Sequence, residues 1–245
     1  MIVDAHAHLG LDQVFDVDFT ADELLAAQET NGIDVTLVQP ASAHDLDTVK
    51  RYHDAIAALA ARHPGRFRGI ANPNPHLTGG QYGRELERCV RELGFVGVKL
   101  HPTAHALNPS GRDAQAAFEL IQALGVPVMV HTGSGIPWAA PALLGPVARR
   151  YPTMPIVVAH AGAMVLSGEA GQLAAEYPNV YLECSWVGGF LVLAWARELG
   201  AKRLMLGSDH AENLATELTK FRTAGLSEEQ LGWALGGTAA AVFGL

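Results

Sequence analysis

Residues 1–10, MIVDAHAHLG, join a short apolar, β-branched run to a His-x-His pair. In an extended chain, side chains two positions apart lie on the same face, so His6 and His8 would present two imidazoles side by side. Paired imidazoles are natural chelates for transition metals such as Zn, Fe, Ni or Mn. Surface and helix-capping histidines also occur at this spacing, so the pattern around the pair decides its meaning.

Seven further apolar runs follow the first along the chain. The eight runs end at residues 5, 39, 71, 100, 130, 159, 183 and 207, with successive ends 24–34 residues apart. This spacing leaves room for one helix and two short loops in each step. The segments between the runs are rich in Ala and Leu and predict helices, for example Ala21–Thr30 after an N-cap at Thr20. The runs are apolar throughout, which is typical of parallel strands covered on both faces.

These patterns predict an α/β fold, a single-domain (β/α)8 TIM barrel over residues 1–245 with few insertions. An open doubly wound sheet is the alternative. No change in composition and no Pro/Ser-rich linker marks a second domain. The pair Gly79-Gly80 predicts a turn, because no phosphate-binding glycine motif surrounds it.

Composition excludes several classes of protein. The chain has 245 residues, 49% of them hydrophobic, and a formal net charge of −8, which does not fit a disordered chain or a nucleic-acid-binding protein. Two cysteines cannot form a disulfide scaffold or a Cys-rich zinc module. The N-terminus lacks the basic region of a signal peptide, and prolines interrupt the longest apolar stretch. We therefore expect a soluble cytoplasmic protein without nucleic-acid or membrane partners.

Histidines collect just after the predicted strands. In a TIM barrel the reactive groups lie at the C-terminal ends of the strands. Of 11 histidines, six come directly after an apolar run: His6, His8, His101, His131, His160 and His210. Chance would scatter them along the chain, so their positions predict a site at this end of the barrel. Trp138 and Trp186 also follow runs, where they would either line a pocket or pack in the core.

Five motifs at five strand ends resemble those of the amidohydrolase superfamily, within it the amidohydrolase-related (amidohydrolase 2) group. That group includes metal-dependent hydrolases, non-oxidative decarboxylases and hydratases. The similar stretches occur in the order of the family and span the chain: DAHAHLG at 4–10, GVKLHP at 97–102, PVMVHTG at 127–133, VVAHAG at 157–162 and LGSDH at 206–210. Two positions depart from the common pattern, His210 where an aromatic residue is usual and Thr238 where asparagine is usual.

The resemblance implies a ligand set and two catalytic residues. His6, His8, His131 and Asp209 would bind a divalent metal, and Asp209 would also take the proton of a metal-bound water. His160 would bind a second metal or, in members with one metal, face the substrate and move a proton. A site of three imidazoles and one carboxylate would lower the pKa of bound water toward about 7.

Three more residues are candidates for contact with the substrate. Lys99 lies within an apolar run, on the same strand face as His101. By the resemblance, Lys99 would bridge two metals as a carbamate; otherwise it would anchor a substrate carboxylate or have a structural role. His101 is a candidate ligand or substrate contact, and Arg112 is a candidate for binding an anionic substrate.

We therefore expect a metal-dependent hydrolase of the amidohydrolase type, in which metal-activated water attacks a carbonyl-type carbon of a small amide or lactone. A metal-dependent lyase, either a decarboxylase or a hydratase of a small carboxylated substrate, is the alternative; a barrel that binds metal without catalysis is a third reading. The expected cofactor is Zn²⁺, as one ion or as two if Lys99 is carboxylated. The expected partner is a small-molecule substrate, for which an anionic molecule is one alternative. Self-association into a homo-oligomer is a further expectation.

Overall fold

The computed structural model describes residues 1–78 and 80–245, so Gly79 of the predicted turn lies outside the described residues. Strands and helices alternate along the described chain and are numbered in chain order. The strands are β1 (Val3–Asp12), β2 (Val17–Phe19), β3 (Val35–Pro40), β4 (Phe67–Ala71), β5 (Gly97–Leu100), β6 (Val128–His131), β7 (Ile156–Ala159), β8 (Val180–Glu183) and β9 (Leu204–Met205). The α-helices are α1 (Ala21–Asn31), α2 (Leu46–Arg62), α3 (Gln81–Arg91), α4 (Arg112–Leu124), α5 (Gly145–Arg150), α6 (Ser167–Glu176), α7 (Gly189–Glu198), α8 (Leu214–Thr223), α9 (Glu228–Gly232) and α10 (Thr238–Phe243).

The sheet confirms the predicted barrel. β1 and β3 to β9 are parallel and neighbour one another in chain order, while β2 pairs antiparallel with the far end of β1. Two hydrogen bonds join the first parallel strand to the segment that follows the last one. Ala5 N donates to Leu206 O at 3.0 Å, and Asp209 N donates to His6 O at 2.7 Å. The predicted eight strands are thus the eight parallel strands, and β2 is an addition at the mouth.

Capping signals set the predicted helix boundaries. Thr20 accepts from the N–H of Glu23, whose side chain in turn accepts from Thr20 N, and Gly32 ends α1 in the left-handed conformation. The predicted helix Ala21–Thr30 therefore differs from α1 by one residue. In the described residues, no helix combines the length and apolarity needed to cross a membrane.

The apolar core has two layers, one inside the barrel and one between strands and helices. Val35, Leu37 and Met129 belong to the inner layer, and Ala239 and Phe243 of α10 pack against it. The outer layer holds the alternate strand residues together with the buried faces of the helices. Strands buried on both sides explain why the sequence runs are apolar throughout.

A β-bulge in β1 aims the His-x-His pair. Val3 and Ala5 point into the barrel, and strict alternation would then send residues 6 and 8 outward. The register of β1 against β3 shifts between Asp4 and Ala7, and Ala7 packs in the outer layer. The shift leaves His6 and His8 on the interior side at the mouth. Bulges near functional sites commonly redirect side chains in this way.

A buried ionic cluster joins α2 to α3. His53 Nδ1 donates to Glu85 Oε1 at 2.7 Å, and Asn72 N donates to His53 Nε2 at 3.1 Å. Arg88 makes two further hydrogen bonds to Glu85, at 2.7 and 3.0 Å. Burial raises the pKa of Glu85, but the hydrogen bonds from His53 and Arg88 outweigh it and lower that pKa to about 2, from 4.5. The cluster therefore stabilises the fold through an ionised carboxylate.

We expect Glu85→Gln to destabilise the protein at neutral pH and to lose that effect in acid. A tenfold change in acid dissociation is worth about 1.4 kcal/mol, so the loss at pH 7 should be on the order of 3 kcal/mol. Because the pKa of Glu85 is lower in the fold, this stability is present above pH 4.5 and disappears as the pH falls toward about 2. Urea unfolding across this range measures it. Glu87→Gln, at an exposed position on α3, is the control, and an equal loss in both variants contradicts the account.

Candidate active site at the mouth of the barrel

A cavity of about 320 Å³ opens at the C-terminal ends of the barrel strands. Most of the site residues predicted from sequence meet there. The side chains lining the cavity are His8, Asp12, Phe15, Val17, Phe19, Lys99, His101, His131, His160, Asp209 and His210. His6 lies behind this surface, 1% exposed, and contacts the lining residues.

His6, His8 and Asp209 bring three ligand atoms together, all within 4.8 Å of one another. Asp209 Oδ1 lies 3.1 Å from His8 Nε2 and 3.3 Å from His6 Nε2. Lys99 Nζ is 3.0 Å from His6 Nε2, on the same side of the cluster. β1, β5 and the segment after β9 therefore aim their polar groups at one point.

His131, His160 and His101 form the next part of the site. His160 Nε2 and His131 Nδ1 are 3.1 Å apart, and the rings of His101 and His131 stack with centroids 4.1 Å apart. The N–H of Ala104 donates to His101 Nδ1 at 3.1 Å. A neutral His101 therefore carries its proton on Nε2, where it can donate into the cavity.

The backbone after β7 is strained where it carries His160. Residues 160–164 all have positive φ, with values of 62° at His160 and 40° at Ala161. Non-glycine residues pay about 1–2 kcal/mol each for this region. Thr132 stabilises the turn, since its hydroxyl donates to Ala159 O at 2.8 Å and accepts from Gly162 N at 3.0 Å. The turn directs His160 toward the cavity. If the strand alternation continued after Ala159, His160 would face away from the barrel interior.

Glu183 is a functional residue to which the sequence analysis assigned no role. It is fully buried at the end of β8. Its carboxylate accepts from His6 Nδ1 at 2.8 Å, from His160 N at 3.0 Å and from the backbone and hydroxyl of Ser185. Its position as the last residue of a predicted strand could have placed it near the mouth of the barrel. Which histidines it contacts depends on packing between strands, which the sequence does not show.

Gly207 permits this packing. A Cβ at Gly207 would lie 2.9 Å from His6 Cβ and would collide with the carboxylate of Glu183. Any larger residue would therefore displace the Glu183–His6 pair.

Hydrogen bonds and burial fix the protonation state of the imidazoles. Because His6 donates from Nδ1 to Glu183, its neutral ring directs the lone pair of Nε2 at the cluster. Burial lowers the pKa of His6, His101 and His131 well below the ordinary value, and that of His160 to about 3. These four rings are therefore neutral at neutral pH.

The pKa values of Asp209, Lys99 and Asp4 are shifted as well. Burial raises the pKa of Asp209, but the imidazoles of His160, His6 and His8 outweigh it and hold that pKa well below the usual range. Burial lowers the pKa of Lys99 to about 8. Burial raises the pKa of Asp4 to about 7, although Ser208 and His6 N donate to its carboxyl group. Asp4 thereby ties β1 to the segment after β9.

Aromatic side chains form the outer wall of the cavity and were not predicted. Phe15 and Phe19 lie on the β1–β2 hairpin; the Phe19 ring stacks on His8 at 5.2 Å, and the Phe15 ring is 5.9 Å from His101. Asp12 holds the hairpin by accepting from the N–H groups of Phe15 and Ser42. The carboxylate in this wall is thus already hydrogen-bonded by the backbone.

Two other residues depart from the sequence expectation. The side chain of Arg112 is 94% exposed, pairs with Asp113 and lies in a separate surface pocket, so the structure does not bring it to the cavity. His210, which the sequence left without a role, lines the cavity with its ring 5.0 Å from that of Phe19.

The donor set fits a divalent metal. Metal ligands must be neutral imidazoles and ionised carboxylates, which is the state of His6 and Asp209 here. The lone pair of His6 Nε2 points at Asp209 Oδ1, and the carboxylate of Glu183 fixes the ring from behind, as acceptors commonly do for metal-binding histidines. A separate buried group, His53, Glu85 and Cys89, has comparable spacing, but the guanidinium of Arg88 already pairs with its carboxylate.

The fold and the site define a class of protein: a parallel barrel with a cluster of histidines and the carboxylate of Asp209 at its mouth. The amidohydrolase family model matches residues 3–245. The chain therefore belongs to the amidohydrolase family.

The curated relatives of the chain are decarboxylases. The gamma-resorcylate decarboxylase of a Polaromonas species is 35% identical over 104 residues, which is 37% of this chain and 29% of that protein. The chain spans less than half of the length of each curated relative it matches.

Two solved structures share the fold over the whole chain. The structure of 5-carboxyvanillate decarboxylase from Sphingomonas paucimobilis has a TM-score of 0.80 at 17% identity, covering 100% of this chain and 99% of that one. The dihydroxybenzoic acid decarboxylase of a Polaromonas species, with bound manganese and the inhibitor 2-nitroresorcinol, has a TM-score of 0.77 at 20% identity, covering 100% and 97%.

These findings correct the expected reaction. The sequence analysis favoured a hydrolase, and that prediction is wrong, because the relatives are decarboxylases, which are lyases. The family that the strand-end motifs resemble includes both hydrolases and lyases, so those motifs could not separate the two reactions. The lyase alternative is the reading that the relatives support.

We expect the purified protein to bind a divalent metal and the variant His6→Ala/His8→Ala to lose it. Removing both imidazoles leaves Asp209 without its two nearest partners in the cluster. Elemental analysis after dialysis measures the metal per chain. His44→Ala/His76→Ala, at two exposed histidines, is the matched control. Equal metal content in the two double variants would refute this site assignment.

Proposed function

We propose that the protein is a metal-dependent decarboxylase of a small aromatic carboxylate. The observation that carries the proposal is the buried cluster of imidazoles and ionised Asp209 beside Lys99, at the base of a cavity walled by Phe15 and Phe19. The decarboxylase activities of the relatives support it. We also propose that residues 1–245 form one catalytic domain.

His6, His8, His131 and Asp209 would hold the metal. When bound, the ion would supply a positive charge that attracts and orients an anionic substrate. We propose Zn²⁺, since imidazole-rich sites suit it, with Mn²⁺ as the alternative because two structural neighbours contain manganese. We propose one ion with a free Lys99 amine, and two ions would require Lys99 to be carboxylated.

The cavity has groups for an anionic, planar substrate. Lys99 lines its floor and can pair with a carboxylate, while His101 Nε2–H can donate to a second polar group. Phe15 and Phe19 supply apolar surface for a ring. Backbone N–H groups already hydrogen-bond both oxygens of Asp12, so this carboxylate is held in place by the chain itself.

Decarboxylation needs a proton at the carbon that loses the carboxylate. The C–C bond breaks, its electron pair stays on that carbon, and a proton replaces the departing carbon dioxide. We propose that His160 Nε2 takes such a proton from solvent water and passes it to that carbon. Its Nδ1–H donates to Ser185 Oγ at 2.8 Å, and Ser185 Oγ donates to Glu183 Oε2 at 3.0 Å, so a buried carboxylate balances the charge that His160 gains. We propose Asp209 and His160 as the catalytic residues.

A panel of hydroxylated benzoates tests the reaction class. We expect release of carbon dioxide from at least one of them by the metal-loaded protein, and little release by the metal-stripped protein. Coupled detection of bicarbonate measures the rate. Hydrolysis of amides or lactones by the same sample, without carbon dioxide from any carboxylate, would contradict the proposal.

We expect His160→Gln to lower turnover by about 10²–10⁴-fold, the usual contribution of a group that moves a proton. Glutamine keeps a polar side chain of similar reach but cannot take a proton at neutral pH. Metal content, determined alongside turnover, should stay at the wild-type value. His44→Gln is the exposed control, and turnover of His160→Gln within a few-fold of that control would disprove the role.

A further inference from the structure

The two oxygens of Asp209 have different partners. Oδ1 faces His6 and His8, at 3.3 and 3.1 Å. Oδ2 accepts from the indole Nε1–H of Trp186 at 2.8 Å. Trp186 follows β8, so a neighbouring strand end restrains the outer oxygen of a proposed metal ligand.

Trp186 is itself held in place at a conformational cost. Its φ is +61°, in the region that non-glycine residues rarely adopt. The N–H of Trp186 donates to Glu217 Oε1 at 3.1 Å. Glu217 lies on α8, is 3% exposed and pairs with the ammonium group of Lys220. Trp186 is about half exposed, but its backbone is anchored to the buried carboxylate of Glu217.

The same carboxylate also secures the segment that carries Asp209. Asn213 Nδ2 donates to Glu217 Oε1 at 3.1 Å and to Ser208 O at 3.2 Å. Asp209 also has a positive φ, +62°. Glu217 therefore links the segments after β8 and β9, and the Trp186–Asp209 hydrogen bond spans the two segments at the cavity.

We propose that Trp186 is a positioning residue for Asp209. Its indole N–H holds Oδ2 and thereby keeps Oδ1 turned toward His6 and His8, in the orientation that a single-oxygen metal ligand requires. Without this donor the carboxylate can rotate, and His210 Nε2, 3.8 Å from Oδ2, becomes its competing partner. The inference rests on the proposed metal site and assigns to Trp186 a task outside substrate contact.

Metal affinity tests the proposal directly. Mn²⁺ is titrated into metal-stripped protein, and free Mn²⁺ is measured by electron paramagnetic resonance. Partners behind a metal ligand typically change affinity by about 10–100-fold, and we expect that rise in Kd for Trp186→Phe. Trp138→Phe is the control, since Trp138 is similarly exposed in the turn after β6 and makes no hydrogen bond to the described residues of the site. Its Kd should match that of the wild type.

An isosteric replacement separates the hydrogen bond from the packing of the ring. Benzothienylalanine at position 186 keeps the shape of tryptophan but replaces the indole N–H by sulfur. We expect it to weaken Mn²⁺ binding as much as Trp186→Phe does, while thermal unfolding of the metal-free protein stays unchanged.

Two results would overturn the inference alone. In the first, Trp186→Phe weakens Mn²⁺ binding but the benzothienylalanine protein binds Mn²⁺ as well as the wild type does, so that only the bulk of the ring matters. In the second, neither substitution changes the Kd. A wild-type protein that binds neither Mn²⁺ nor Zn²⁺ would overturn the proposed metal site and this inference together, which distinguishes the two failures.

Discussion

The carboxylate of Glu183 is the contact on which the site depends. It is fully buried, and it holds the ring of His6, the backbone of His160 and both polar groups of Ser185. A buried carboxylate is costly unless hydrogen bonds satisfy it, and here several donors from three strand ends do so. In return the donors acquire fixed directions: His6 Nε2 toward Asp209, and His160 Nε2 toward His131. Gly207 leaves the space that this arrangement requires.

Backbone strain is concentrated at the same strand ends. His160, Trp186 and Asp209 each have φ near +60°. Each of the three sits where a strand passes into its loop, and each is held by a hydrogen bond from its N–H, to Glu183, Glu217 and His6 O respectively. The barrel therefore provides a rigid frame. Buried acceptors at its mouth fix the strained backbone to this frame and so determine where a few side chains point.

The sequence predicted the barrel and the set of converging residues because both leave local signals. Eight apolar runs at regular spacing predict the eight parallel strands, and the capping residue Thr20 predicts the start of α1. Histidines after the runs predict the cluster, since all strand ends of one polarity meet at one mouth. The β1 bulge and the turn at residues 160–164 could not be predicted, because both arise from contacts between strands and have no local sequence signature. Arg112 illustrates the opposite failure: its position in the chain suggested the site, but the helix that it begins turns its side chain to solvent. The reaction class was also misjudged, since the strand-end motifs resemble those of a family that contains hydrolases and lyases alike.

The origin of the atoms in the product tests the decarboxylase account most directly. Turnover of the best carboxylate substrate in D₂O and in ¹⁸O-labelled water, followed by mass spectrometry, separates the chemistries at one site. The account predicts one deuterium on the carbon that carried the carboxylate, and no ¹⁸O in the aromatic product. Incorporation of ¹⁸O into that product, without deuterium at this carbon, would contradict it and would identify water as the attacking group.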